Sequence, residues 1–123
     1  MTRYVVMFPA DNEDERAAGT EADRQATFDI DFEFGQLLEA RGGAVTGGAG
    51  LTHASEARTI KRGPKSTALV TDGPYAETVE QLTGFYVVRS DDLDDLLDLC
   101  RILADGDGAV EVRACVPPQQ GGV

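Results

Sequence analysis

The side chains best suited to acid–base chemistry are the chain's single histidine, His53, and the carboxylates that begin at Asp72. Imidazole and carboxylate form an acid–base pair near neutral pH, because the carboxylate fixes the tautomer of the ring and raises its basicity. We therefore predict that His53 and Asp72 are the catalytic residues of a cleft. The predicted ligand-binding residues of the same cleft are Tyr75, Glu77 and Glu80.

The tetrapeptide Asp72-Gly73-Pro74-Tyr75 predicts a rigid turn. Pro74 fixes φ at about −65° and lacks an N–H, so a strand cannot run through it. Gly73 permits backbone conformations closed to other residues, and Asp72 can accept hydrogen bonds from the N–H groups that follow it. Asp72 would then end a buried strand, with its carboxylate held against the turn. The alternative is that Asp72 is only an Asx-turn residue, since aspartate before glycine is common in turns.

Plainer interpretations of His53 and Glu77 are also open. The acid–base hypothesis requires the loop that holds His53 to come within hydrogen-bonding reach of Asp72 or Glu77. A lone histidine in a glycine-rich loop is otherwise an exposed surface residue. Glu77 could instead cap the turn or accept from Arg58 or Arg62. The sequence therefore does not decide whether the chain is an enzyme.

Other kinds of site fail on spacing. Residues 47–50 lead into no helical pattern, which disfavours a phosphate-binding loop, and residues 105–108 resemble a calcium loop only superficially. One histidine and no paired cysteines disfavour zinc, and we interpret Cys100 and Cys115 as inert apolar thiols. The G-x-S-x-G pattern of a serine hydrolase does not occur. We expect no cofactor and no metal.

Length and charge restrict the partners. The 123 residues predict one domain, 1–116, followed by a flexible tail, 117–123. Asp plus Glu number 22 against 11 for Lys plus Arg, a net charge of −11. A surface of that sign repels nucleic acid and anionic lipid, so neither is an expected partner. No apolar run approaches the ~18 residues that span a bilayer, and no secretory signal is recognisable, so we expect a cytoplasmic location.

Apolar periodicity predicts two amphipathic helices that would position the site. The first begins near Thr20, where Asp23 completes an approximate capping box, and ends at Gly42 and Gly43. Ser90 or Asp91 caps the second. The predicted core stripe of the first helix is Ala26, Ile30, Phe34, Leu37 and Leu38, with Phe28 and Phe32 off the stripe as a second contact. The predicted stripe of the second helix is Leu93, Leu96, Leu97, Cys100, Leu103 and Ala104.

The remaining apolar runs predict strands. They are 4–8, a hairpin of 57–61 and 67–71, 84–89, and 109–116 with Val110, Val112, Ala114 and Val116 facing inward. The glycines of residues 44–56 leave two alternatives open there, a short bulged edge strand or an irregular approach to Leu51. The order β-α-(β)-β-β-β-α-β predicts an α+β fold, a ferredoxin-like βαββαβ sandwich with an added β-hairpin.

The predicted sheet has a face that two helices cannot cover. Strands 4–8 and 85–88 are apolar on both faces, and leaving four large side chains exposed would forfeit roughly 1.5–3 kcal/mol each. We therefore predict a homodimer whose sheets pack face to face. The alternative is a monomer in which the glycine-rich segment and the tail fold over that face.

Three segments resemble the YCII-related family, the DGPF-domain proteins. They are V-T-D-G-P-Y-A-E-T-V-E-Q-L-T-G-F-Y-V-V at 70–88, D-D-L-D-D-L-L at 91–97 and V-E-V-R at 110–113, and the resemblance extends over residues 4–116. It implies a ferredoxin-like fold in a dimeric α/β barrel. Some relatives carry a His–Asp pair in a cleft that has been interpreted as an acid–base site, and some are associated with alternative sigma factors.

The sequence departs from that family pattern in three ways. Tyr75 replaces the usual phenylalanine of the motif and adds a hydroxyl, and residues 11–23 form an acidic insertion. The histidine that some relatives carry on the first helix has no counterpart, which leaves His53 as the candidate to replace it.

Two functions are therefore compatible with the sequence. The first is a dimeric protein that binds a small molecule in a cleft near the D-G-P-Y turn, with or without acid–base chemistry. The alternative is a non-catalytic accessory or regulatory protein, associated with a sigma factor, that acts through protein–protein contacts.

Overall fold

The computed structural model describes residues 1–10, 19–64, 68–73 and 81–117. Their elements, in chain order, are β1 (Thr2–Ala10), α1 (Glu21–Ala40), β2 (Ala44–Gly50), a 3-10 turn (Ala54–Glu56), β3 (Arg58–Arg62), β4 (Ala68–Asp72), β5 (Gln81–Ser90), α2 (Leu93–Asp107) and β6 (Glu111–Ala114). No helix in these ranges combines the length and the apolarity needed to cross a bilayer.

The strands form a four-stranded antiparallel sheet and a separate hairpin. The sheet order is β2-β5-β1-β6, and among the described strands β3 pairs only with β4. Each helix connects two strands that run parallel on either side of a third, which is the split βαβ arrangement of the ferredoxin-like fold. The predicted fold class, with its added hairpin, is confirmed.

The core lies between one face of the sheet and both helices. Alternate side chains of a strand point to the same face, so Tyr4, Val6 and Phe8 of β1 all enter the core. The buried apolar residues are Tyr4, Val6 and Phe8 of β1, Val88 of β5, Phe34 and Leu38 of α1, and Leu96, Leu99, Cys100 and Leu103 of α2. Burying each large apolar side chain stabilises the fold by about 1.5–3 kcal/mol.

Both ends of α1 form as the sequence predicts. The Thr20 hydroxyl accepts from the Asp23 N–H at 3.1 Å, and the Asp23 carboxylate accepts from the Thr20 N–H at 3.0 Å. Together they satisfy two N–H groups that have no partner within the helix. Gly42 follows the helix at a φ of 86°, a conformation that suits glycine after a helix C-terminus.

The cap of α2 differs from the prediction of Ser90 or Asp91. Asp92 is the N-cap residue, and its carboxylate accepts from the Asp95 N–H at 3.2 Å. Ser90 instead ends β5, and its hydroxyl accepts from the Asp92 N–H at 3.2 Å. Several neighbouring residues can cap equally well in principle, so the sequence located the cap only to within two residues.

Several residues predicted to face the core are exposed. In the helices they are Ala26, Leu93 and Leu97. In and after the last strand they are Ala114 of β6 and Val116. The face of α2 that meets the core includes Leu99, which is 2% exposed and was not in the predicted stripe. β6 is also shorter than predicted, because it pairs with β1 only from Glu111 to Ala114.

β2 is a bulged edge strand, the first of the two alternatives that its glycines left open. Its register against β5 shifts between Val45 and Gly47. Gly48 has a φ of 145°, and a Cβ at that position would lie 2.4 Å from the carbonyl oxygen of Phe85. The close approach of the two backbones therefore requires glycine here.

The hairpin is more exposed than predicted. β4 was expected to be a buried strand, yet the side chains of Val70, Thr71 and Asp72 are all exposed, and the cross-strand pair Ile60 and Val70 is 67% and 64% exposed. The reason is that, of the strands that the structure describes, β4 pairs with β3 alone and lies outside the four-stranded sheet.

The second face of the main sheet carries an apolar centre. Val5 lies opposite Val87, and Met7 lies opposite Phe85. All four side chains are half-buried and point away from the helices. The predicted homodimer would cover this face and stays a prediction.

Candidate functional site

His53 is held in the turn that precedes β3. Its Nδ1 accepts from the backbone N–H of Ser55 at 3.1 Å and lies 2.9 Å from the Ser55 hydroxyl oxygen. His53 thereby caps the 3-10 turn. In a neutral ring this arrangement places the proton on Nε2, because Nδ1 acts as the acceptor.

Asp72 ends β4 at the open end of the hairpin. Its carboxylate lies 3.2 Å from Nε of Arg58, the residue opposite it in the register, and its side chain is 90% exposed. Gly73 follows with a φ of 93°, as the turn prediction requires, and its N–H donates to the Ala57 carbonyl at 2.7 Å. An exposed ion pair of this kind contributes about 0–1 kcal/mol to stability.

The structure thus places His53 and Asp72 at the same end of the hairpin, each with a local partner. Ser55 holds the ring of the first, and Arg58 pairs with the carboxylate of the second. The predicted ligand-binding residues Tyr75, Glu77 and Glu80 lie outside the described residues. The acid–base pair therefore stays a prediction.

A groove opens elsewhere, between α1 and the edge of the sheet. It has a volume of about 470 Å³. We call it the α1–β2 groove. Its lining residues are Phe28, Asp31, Phe32, Phe34, Gly35, Gln36 and Glu39 of α1, Ala44 and Val45 of β2, and Tyr86 of β5.

The base of the α1–β2 groove contains a polar pair. The Tyr86 hydroxyl donates to Oδ2 of Asp31 at 2.8 Å, across 55 residues of sequence. The Tyr86 ring stacks on Phe34 with 6.4 Å between ring centroids and meets Phe8 edge-on at 5.6 Å. Core aromatic rings on two sides thus fix the direction of the hydroxyl, which in turn orients the carboxylate.

Two exposed aromatic rings border the groove. Phe28 and Phe32 are one helical turn apart, 63% and 59% exposed, and their rings stack at 6.5 Å with an angle of 12° between them. Their position off the core stripe was predicted, and they do face a second environment. Exposing a pair of large rings to water forgoes the stabilisation that burial would give.

The groove residues of α1 form a second stripe on the helix. Phe28, Asp31, Phe32, Gly35 and Glu39 follow the spacing i, i+3, i+4, i+7 and i+11, which places them on one face beside the core stripe. This mixed stripe was the signal in the sequence. It was missed because only apolar residues were matched to the helical period.

Tyr86 carried no comparable signal. It occurs within an apolar strand segment, a pattern that predicts a core residue, and its hydroxyl has a role only because β5 lies next to α1. The charged residues among the described lining are both acidic, Asp31 and Glu39. Within the described ranges, no three His, Cys, Asp or Glu side chains come together as metal ligands.

The two cysteines differ in environment. Cys100 is buried in the core, and this burial raises the pKa of its thiol to about 11. Cys115 is half-buried after β6. A thiol with a raised pKa is a poor nucleophile near neutral pH, which fits the interpretation of Cys100 as a small apolar core residue.

Two comparisons with known proteins identify the family of this chain. Residues 2–117 match the YCII-related domain. A protein of Rhizobium meliloti (strain 1021) that bears the name uncharacterized protein is 34% identical over 113 residues, which are 89% of this chain and 89% of the relative. The matched range includes every strand and helix described above, and therefore the whole of the α1–β2 groove.

Proposed function

This chain belongs to the YCII-related family, and we propose that it binds a small molecule in the α1–β2 groove. The observation that carries the proposal is the Tyr86–Asp31 hydrogen bond at the base of a space lined mainly by aromatic and aliphatic groups. Small-molecule sites have this composition, in which apolar walls provide affinity and a few fixed polar atoms orient the ligand.

The size of the groove supports this proposal. Its volume of about 470 Å³ falls within the range of about 300–1,000 Å³ that is common for ligand pockets. The stacked rings of Phe28 and Phe32 offer a flat ligand a surface to pack against. Burying them would recover part of the hydrophobic stabilisation that their exposure forgoes.

Gly35 gives independent support. It lies in the interior of α1, where glycine is less favourable than alanine by about 1 kcal/mol. The surrounding side chains leave ordinary van der Waals space for a Cβ there, 4.0 Å from a methyl group of Val45. Packing therefore does not require glycine at this position. Glycine does keep the groove open, because it has no side chain to occupy the space.

Amide chemical shifts during a titration with aromatic fragments would test the proposal. We expect the largest shifts at Gly35 and Tyr86. Phe32→Ala should weaken binding by about tenfold, since an aromatic contact contributes about 0.5–1.5 kcal/mol beyond its buried area. Leu97→Ala is the matched control, because Leu97 is an exposed apolar residue on the other helix. Equal effects of the two variants, or shifts confined to the hairpin, would contradict the proposal.

Acid–base chemistry at His53 and Asp72 is a separate part of the proposal. Its support is that Asp72 ends β4 at the open end of the hairpin, and that His53 lies in the turn that precedes β3 at the same end. His53→Ala and Asp72→Asn should each abolish turnover of a substrate while keeping the melting temperature. A substrate whose turnover survives both changes would remove these residues from the site.

We also propose that the protein is a homodimer through the second face of the main sheet. The support is the apolar centre formed by Val5, Met7, Phe85 and Val87, which neither helix covers. A second copy of the same surface would exclude water from this centre.

The exposed hairpin favours a second candidate function, an accessory role through protein contacts. The Ile60–Val70 pair is apolar and exposed, and Arg58, Lys61 and Arg62 add positive charge to an otherwise acidic chain. Exposed apolar surface bordered by polar residues is typical of protein interfaces. A stoichiometric partner recovered by the wild type and lost with Ile60→Thr/Val70→Thr, but kept by Phe28→Ala, would support this role. If the wild type and both variants recover the partner equally, the hairpin is not its binding surface.

A further inference from the structure

We infer that the ligand of the α1–β2 groove is an organic cation, a protonated amine carried on a flat apolar body. The inference rests on the proposed function and adds the chemical class of the ligand. It follows from the sign of the charges in the groove, from the position of one carboxylate, and from the two rings beside it.

The charges of the groove have one sign. Asp31 and Glu39 are the ionisable acids of the described lining, and none of its described residues is a lysine or an arginine. The chain as a whole carries a net charge of −11. An anionic ligand would meet repulsion both in the groove and on the approach to it, whereas a cation would be attracted in both places.

The carboxylate of Asp31 lines the groove, where surrounding side chains partly exclude water. This carboxylate is half-buried, and one oxygen accepts from the Tyr86 hydroxyl. That donor is neutral, so this hydrogen bond orients the carboxylate and brings no positive charge to it. A charge-assisted hydrogen bond from an ammonium group is stronger than a neutral one, and it is strengthened further where water is partly excluded.

The aromatic rings favour the same class of ligand. Phe28 lies one turn before Phe32, and Asp31 lies between them in sequence, so rings and carboxylate share one surface of α1. The face of an aromatic ring attracts a cation, an effect of about 0.5–1 kcal/mol at exposed sites. The same rings can pack on the apolar body of the ligand.

Calorimetric titration with three compounds of matched size would test the inference: 2-phenylethylamine, which is cationic, 2-phenylethanol, which is neutral, and 3-phenylpropanoate, which is anionic. We expect the amine to bind about tenfold more tightly than the alcohol, and the anion to bind most weakly. Asp31→Asn should remove the preference for the amine, so that amine and alcohol bind this variant with similar affinity. Asp29→Asn is the control, because Asp29 is an exposed acid of the same helix outside the groove.

The outcomes separate the inference from the proposed function. If amine and alcohol bind the wild type equally, the groove is a ligand site but the assignment of a cation is wrong. If Asp29→Asn weakens the amine as much as Asp31→Asn does, the preference comes from net charge and the assigned carboxylate is wrong. If none of the three compounds binds, both the proposal of a ligand site in the groove and the assignment of a cation are wrong. Comparison of the three compounds on the wild type needs no variant to fold.

Discussion

Gly35 lies in the middle of α1 and faces the α1–β2 groove, where a helix-favouring side chain would fit without strain. We expect Gly35→Ala to stabilise the fold by about 0.5–1 kcal/mol, because alanine loses less conformational entropy than glycine in a helix. The same methyl group would narrow the groove and weaken ligand binding. Urea unfolding measures the first effect and calorimetry with 2-phenylethylamine the second.

Gly35→Leu extends this comparison. A larger side chain should fill the space toward Val45 and abolish binding. If ligands bind Gly35→Leu as tightly as the wild type, the groove is not the site. A loss of stability in Gly35→Ala would show that the helix needs glycine for a reason other than open space.

At the residue scale, the sequence predicted local roles better than partners. The sequence predicted a backbone conformation for Gly73 that suits glycine, and its φ of 93° agrees, since that property depends mainly on neighbouring residues. Pro74 and Tyr75, the rest of the predicted turn, lie outside the described residues. The exposure of Asp72 could not be predicted, because it depends on β4 pairing with β3 and not with a strand of the main sheet. The bond between Tyr86 and Asp31 joins residues 55 positions apart, which no local pattern encodes.

At the element scale, the capping box of α1 can be tested directly. Thr20→Ala should lower the free energy of unfolding by about 1 kcal/mol, because the Asp23 N–H loses its acceptor. Thr20→Ser is the matched control and should keep most of the stability, since its hydroxyl can accept the same bond. Urea unfolding of the three proteins measures the difference, and equal losses in both variants would contradict the capping role.

The same cap predicts a dependence on pH. Hydrogen bonds from the backbone and hydroxyl of Thr20 lower the pKa of Asp23 in the folded state. Protons therefore bind the unfolded state more readily, so this contribution is present above the ordinary aspartate pKa and is lost as pH falls through the folded pKa. Asp23→Asn should reduce the loss of stability on acidification. An unchanged acid profile would show that the carboxylate does not support the cap.

The elements themselves were largely predictable. The presence of both helices and the two ends of α1 followed from the apolar period and the capping residues. For β2 the glycines left an irregular segment open as the alternative to an edge strand. Leu97 was predicted in the core and is exposed, whereas Leu99 was left out of the predicted stripe and is buried. More than one face of α2 is apolar, and packing against α1 and the sheet decides which face is buried. The second stripe on α1 combines acids, aromatic residues and glycine. A search for apolar residues at the helical period therefore does not detect it.

At the scale of the whole molecule, we expect a homodimer. Light scattering should give a mass of twice the 13.1 kDa chain at micromolar concentration. Val87→Glu should produce a folded monomer, because it places a charge in the apolar centre of the second sheet face. Val116→Glu is the control, since Val116 is 77% exposed, and it should remain dimeric. A well-folded wild-type monomer would contradict the proposed interface.

The whole fold followed from the order of elements, since a β-α-(β)-β-β-β-α-β chain with short connections has few ways to cover one sheet face with two helices. The site did not follow from that order. Its lining is drawn from α1, β2 and β5, and its shape depends on how far α1 stands from the sheet edge.

Ligand binding in the α1–β2 groove is the claim on which the proposed function depends most. A crystal structure of the protein soaked with 2-phenylethylamine tests this directly. We predict the ring of the amine against Phe28 and Phe32, with its nitrogen about 3 Å from the Asp31 carboxylate. Density for the compound beside His53 and Asp72 instead, or a groove filled by side chains of a second copy, would contradict it.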